Sequence, residues 1–189
     1  MNTDRSTDDF KDGGDPKVCN PGDTCCSECK EDPNNKTWEP PQAAKGQIAR
    51  MMLYMDVRYE GNDDSQTPDL TLVDRSTQAK NPDPNLTFFP ELGYLSDLLK
   101  WHCENPVTQR EKDRNDGVES WQGNRNPFID RPEYAQLVWD DPEYAPIFAN
   151  CGSTGPAPTP PTTAPTPTPG SGTPVSVWIN EFHYVRLAY

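Results

Sequence analysis

Residues 122–130 read Gln122-Gly-Asn-Arg-Asn-Pro-Phe-Ile-Asp130. Gly123 and Pro127 punctuate a turn, and a concentration of hydrogen-bonding side chains lies between and around them. Gln122, Asn124 and Asn126 each carry an amide donor and acceptor, and Arg125 carries a planar guanidinium fork that matches phosphate. These four are candidate phosphate contacts. The same side chains would also serve to pin a tight turn by bonding backbone groups, with Asp130 as the cap of a following helix.

Helical signals flank this turn on both sides. Upstream, Thr108-Gln-Arg-Glu111 is a Ser/Thr-x-x-Glu capping box, which predicts a helix from there to about Trp121. Before it, Leu92, Leu95, Leu99 and His102 share one side of a helix expected over 91–103, ended by Pro106. Further upstream, Trp38-Glu-Pro-Pro41 reads as a helix entry. From Gln42, Ala44, Ile48, Met52, Met55 and Tyr59 recur at spacings of three and four, which predicts one apolar stripe ending at Gly61. Downstream, Asp130-Arg-Pro-Glu133 is expected to open a short fourth helix through Trp139. Residues 1–37 read as loop, and 61–90 as a long irregular stretch whose one strand-like piece is Leu70-Thr-Leu-Val73. The expected class is mainly α with long loops.

Charge and proline are unevenly distributed. The 189 residues hold 17 Lys and Arg against 30 Asp and Glu, a net charge of −13. So acidic a chain argues against binding phosphate chains, whose partners usually neutralise charge with Lys and Arg. Yet residues 42–60 carry a net +1 and 106–131 a net 0, so the acidity spares two predicted helical stretches. Residues 152–174 hold 8 prolines and 7 threonines in 23 positions, the composition of an extended spacer. The expected organisation is a domain over 1–151, a linker over 152–174 and a short β-type segment over 175–189, opening on the apolar run Val175-Ser-Val-Trp-Ile179. No stretch approaches the length of a membrane span, so no membrane partner is expected. Met1 to Phe10 also lacks the apolar centre of a signal peptide.

The six cysteines are Cys19, Cys25, Cys26, Cys29, Cys103 and Cys151. An even count in a loop-rich, Pro/Thr-linked chain points to disulfides and an oxidising compartment. A zinc site built on Cys26-x2-Cys29 is the alternative, but it lacks a clean second ligand pair. No catalytic constellation stands out: there is no phosphate-cradling glycine loop, G-x-S-x-G or H-E-x-x-H. His102, on the inner side of its helix, reads as a packing histidine bonded through one ring nitrogen.

Several stretches together resemble the bacterial endonuclease I family over roughly residues 1–140. They are Asn2-x2-Arg5-Ser6, Trp38-Glu-Pro-Pro41, Lys45-Gly-Gln-Ile-Ala-Arg50, Leu98-Leu-Lys-Trp-His102, Arg114-Asn115-Asp116 and the 122–130 stretch, in family order and spacing. The resemblance implies a secreted or periplasmic nuclease with a ββα-metal (His-Me finger) site. It implies an α+β fold, of which this chain would be the helical part, truncated at its N-terminus. It further implies hydrolysis of DNA, and possibly RNA, with Mg2+ or another divalent cation. Asn2, Arg5 and Arg50 join Gln122, Asn124, Arg125 and Asn126 as implied substrate contacts. The family's general-base histidine and metal-ligand segment match nothing here, so no residue is expected to be catalytic or to bind metal. That absence keeps a second reading open: a non-enzymatic, disulfide-stapled secreted module. At the other end, Val177-Trp-Ile-Asn-Glu-Phe-His-Tyr184 resembles the opening strand of lamin-tail-type β modules.

Overall fold

The computed structural model describes residues 8–19, 26–59, 70–75, 91–149 and 151. Met1–Ser153 forms one compact unit. The linker and tail expected over 152–189, with Asn2, Arg5 and Cys25, lie outside the described residues.

The architecture is mixed α+β: the expected helices are joined by small sheets that the sequence did not announce. The region read as loop before residue 37 contributes to a four-stranded sheet of β1 (Asp9–Phe10), β2 (Asp15–Pro16), β3 (Lys30–Asp32) and β4 (Thr37–Glu39), in the order β1-β4-β3-β2. β1 runs parallel to β4, whereas β2–β3 and β3–β4 are antiparallel. Strands of two or three residues are too short to show period-two alternation, so composition hides them. Trp38 and Glu39 belong to β4 rather than to a helix entry, and Pro41 alone caps the helix after it.

That helix is α1 (Gln42–Arg58), followed by β5 (Thr71–Val73), β6 (Glu91–Gly93), α2 (Leu95–Glu104) and α3 (Gln109–Gln122). Three short helices close the unit: α4 (Pro127–Asp130), α5 (Tyr134–Val138) and α6 (Ala145–Phe148). β5 and β6 pair in parallel, so Glu91–Gly93 is a strand where the sequence predicted the start of a helix. Asp130 ends α4 instead of opening a helix. The cap is Asn126, whose side chain accepts from the Phe128 N–H while Pro127 takes the first helical position.

α1 packs on α2, and the core gathers around that contact. Ala49 and Leu53 of α1 meet Leu95, Leu98, Leu99 and Trp101 of α2, with Phe10 and Trp38 from the sheet. Phe128 and Trp139 extend the core, their ring centroids 5.5 Å apart. The buried face of α1 is Lys45, Gly46, Ala49, Arg50 and Leu53, about one position off the predicted stripe. The displaced apolar residues are only partly covered, and Met51 is 48% exposed. Gly46 marks where the helix closes on the end of α2. A Cβ there would lie 2.7 Å from Cβ of Asn105 and 2.8 Å from its carbonyl oxygen. Among the described residues, no helix is long and apolar enough to cross a membrane.

The disulfide expectation is met by Cys26–Cys29 and Cys103–Cys151. Cys19 is also disulfide-bonded, and no free cysteine remains among the described residues. The C-x2-C pair that a zinc half-site would need is therefore oxidised.

Candidate functional site

The stretch 122–130 folds as the C-cap of α3, a turn and the start of α4. Gly123 caps α3 at φ 75°, in the left-handed region that glycine enters without cost. Asn115, in the middle of α3, organises the turn. Its Oδ1 accepts from the Asn126 N–H at 2.9 Å, and its amide donates to the Asn126 carbonyl and to Asp130 Oδ1, both at 3.2 Å. Asn126 in turn donates from Nδ2 to the Arg50 carbonyl at 2.9 Å and accepts from the Phe128 N–H at 3.0 Å. Both polar atoms of the Asn126 side chain are thus engaged with backbone. The Asn126 side chain thereby holds the turn against α1.

Arg50 requires the larger correction. It is 1% exposed. Its Nε and Nη2 grip the two Glu111 oxygens at 2.8 and 2.9 Å, while Nη1 donates to the Asn105 carbonyl at 2.9 Å. All three nitrogens are therefore spent on groups at the end of α2 and in α3, and no face is left for substrate. Glu111 completes the predicted capping box, because its Oε2 also accepts from the Thr108 N–H at 3.0 Å. One carboxylate both starts α3 and neutralises the buried arginine.

Arg125 is at the surface but surrounded by acids. Asp130 takes its Nε and Nη2 side in a two-point contact at 2.7 Å each, and Nη1 lies 2.7 Å from Asp116 and 2.8 Å from Glu119. Hydrogen bonds that it donates to Asp130, then Glu119 and Asp116, raise the guanidinium above its usual range. The Arg125 contact holds the Asp130 carboxyl below its own. Three carboxylates on one guanidinium leave a local excess of negative charge, so phosphate gains little there. Gln122 is exposed and donates from Nε2 to Oδ1 of the half-buried Asn124 at 2.6 Å.

Beside the turn, α1 and α3 enclose a groove of about 270 Å³. Its apolar walls are Ile48, Met51 and Tyr54 from α1, Val118 from α3 and Ile129 from α4, with Gln122 also on its lining. Burial pushes the Tyr54 hydroxyl above its ordinary value, so it stays protonated. Met51 and Tyr54 were missed in the sequence because the predicted stripe runs through Met52 and Met55, one position further on. The run Ile48, Met51 and Tyr54, at spacings of three along α1, is the signal that would have found them.

A charged network joins the sheet to the helices. Asp12 accepts from Lys45 and Lys100 at 2.6 Å each and from Trp101 Nε1 at 2.9 Å. Burial opposes its charge, but those three bonds hold it well below the usual carboxylate range. Lys45 also pairs with Glu39 at 2.7 Å. His102 is buried, with Nε2 2.9 Å from the Pro132 carbonyl and no partner for Nδ1. It is the packing histidine expected. Burial, and then the nearby Arg50 charge, lower its pKa to about 4.

The Endonuclease I family model matches residues 1–133 of this sequence. The chain belongs to the endonuclease I family. It is 40% identical over 140 residues to an extracellular ribonuclease of Bacillus amyloliquefaciens and 39% identical over 140 residues to an extracellular ribonuclease of Bacillus subtilis (strain 168). Each alignment covers 74% of this chain and 42% of the relative, so the chain spans less than half the length of these curated relatives. No solved structure matches it. The family match ends within the helical unit, and it includes the whole 122–130 turn with its Asn115 and Arg50 supports.

Proposed function

We propose that this chain is part of an extracellular nuclease that hydrolyses phosphodiester bonds, and that its helical unit supports and borders the nucleic-acid site. The family match over residues 1–133 carries this reading. The two relatives named extracellular ribonucleases favour RNA as a substrate and export as the destination. The disulfides agree with an oxidising compartment. DNA, the His-Me finger fold and Mg2+ belong to the same proposal, through the family resemblance.

The metal does not fit the described residues. Among them, no group of three His, Cys, Asp or Glu side chains could hold an ion, and no chemical step is assigned to this chain through one. Arg50 is buried and Arg125 is neutralised by three carboxylates, so the polar turn works as a strut. That observation favours a scaffold role for this chain, and it gives the non-enzymatic reading its one support.

Expressing the protein from its complete reading frame distinguishes the two. Labelled RNA and plasmid DNA are incubated with Mg2+ or with EDTA. Metal-dependent cleavage, abolished by EDTA, is the expected result. A folded, disulfide-intact protein that cleaves neither substrate would overturn the nuclease reading.

A further inference from the structure

Next in sequence to Gln122, which lines the groove between α1 and α3, stands an aromatic residue that the fold does not use. Trp121 is 92% exposed, while Trp38, Trp101 and Trp139 are each 3% exposed or less. Leaving so large an apolar ring in water forgoes its burial energy. Seven residues earlier, on the same face of α3 and roughly 10 Å along the axis, lies Arg114. It is exposed and makes no ion pair or hydrogen bond with a described residue. Gly117 sits between them, where an added Cβ would meet nothing within 4 Å. The face is therefore open from the guanidinium to the indole. Arg114 also lines the groove, together with Gln47 and Gln122, and neither Gln47 polar atom has a partner among the described residues.

We propose that this groove and rim form a subsite for unpaired nucleotides of a single-stranded nucleic acid. The inference deepens the nuclease reading and rests on it for the class of ligand. The groove's volume suits one nucleobase, with Met51 and Tyr54 on its apolar side. The unbonded Gln47 amide and the Gln122 side-chain carbonyl face the hydrogen-bonding edge of such a base. Trp121 offers its ring to the next base along the strand, the sequence-tolerant contact that single-strand binders use. Arg114 is the one cation among the residues that line the groove, and the Glu111 carboxylate beside it is taken up by Arg50. A base in a duplex is already stacked and paired, so it cannot enter. The subsite therefore selects single strands.

The test uses the full chain, in EDTA so that nothing is cut, with a fluorescein-labelled 12-nucleotide single strand and the same strand in a duplex. Anisotropy is expected to show the single strand bound at least tenfold more tightly. Trp121→Ala should weaken it about tenfold and Trp121→Phe much less. Arg114→Gln should flatten the salt dependence by about one unit of slope. Both positions are exposed, and unchanged circular dichroism confirms that the variants fold. Equal affinity for duplex and single strand, or no effect of Trp121→Ala, overturns the subsite. So does a concentration-dependent dimer that Trp121→Ala disperses, because the groove would then belong to a second copy. Metal-dependent cleavage by the complete protein is read separately. Cleavage with no single-strand preference removes the subsite and keeps the nuclease; binding without cleavage does the reverse.

Discussion

At the scale of single residues, a buried ion pair and a buried histidine govern stability in different ways. The Arg50–Glu111 pair is fully formed inside the fold, where a lone guanidinium would be costly. Glu111→Gln should destabilise by about 3 kcal/mol, because the positive charge stays buried without its counterion. Urea midpoints at constant m-value measure this. Replacing both partners by apolar residues of similar size (Arg50→Met with Glu111→Leu) should recover much of that loss. A Glu111→Gln variant within about 0.5 kcal/mol of the parent would show that the pair contributes no more than a surface contact. His102 acts through pH. Its folded pKa of about 4 lies below the 6.5 of a free imidazole, so between those values the unfolded chain binds a proton that the folded one refuses. Stability is then full above pH 6.5 and falls as the pH drops towards 4, with a total loss of about 3 kcal/mol. Unfolding midpoints of His102→Gln from about pH 7 to pH 4 should show a shallower decline than those of the parent, because the proton taken up at position 102 on unfolding is gone. Parallel curves would disprove the assignment.

At the scale of elements, chemistry that is local in sequence was legible and chemistry that needs a distant partner was not. The capping box of α3 could be read from Thr108 and Glu111 alone, since both halves lie within four residues. β5 could be read from Leu72 and its neighbours, and α2 from its leucines. The buried face of α1 could not, because two of its five residues are the cations Lys45 and Arg50. Their acidic partners, Asp12, Glu39 and Glu111, come from three other segments. A hydrophobic stripe therefore pointed one position away from the true contact face. The same cause explains the site residues. Arg50 and Arg125 look like phosphate ligands until Glu111, Asp116, Glu119 and Asp130 are placed around them. The α1–α2 contact gives a sharp test. In an exposed helix, Gly→Ala gains about 1 kcal/mol. Gly46→Ala should instead lose about 2 kcal/mol, since the new methyl meets the rigid Asn105 backbone and overpacks the crossing. Thermal unfolding followed by circular dichroism would read this as a lower midpoint. A raised midpoint would mean that the two helices can separate slightly without penalty.

At the scale of the whole molecule, a chain with only 32% apolar residues and a net charge of −13 builds its unit with a small core and needs covalent help. The two disulfides whose partners are both placed are unequal in this respect. Cys26–Cys29 spans 3 residues and fixes a turn that is already local. Cys103–Cys151 spans 48 and fastens the end of the helical unit to the buried face of α2. Chain-entropy arguments assign about 4 kcal/mol to the longer closure and about 1.5 kcal/mol to the shorter. The double variant Cys103→Ser/Cys151→Ser should therefore lose more than twice the stability lost by Cys26→Ser/Cys29→Ser. Urea unfolding of each, without reductant, gives the comparison. The segment freed by the longer cut is α6, which packs on α2, so its loss should also raise proteolytic cleavage after residue 139 while α1–α3 stay protected. Equal losses from the two variants would mean that the α6 end is held by its Phe148 and Ile147 contacts alone. The long disulfide would then restrain the unfolded chain no more than the short one does.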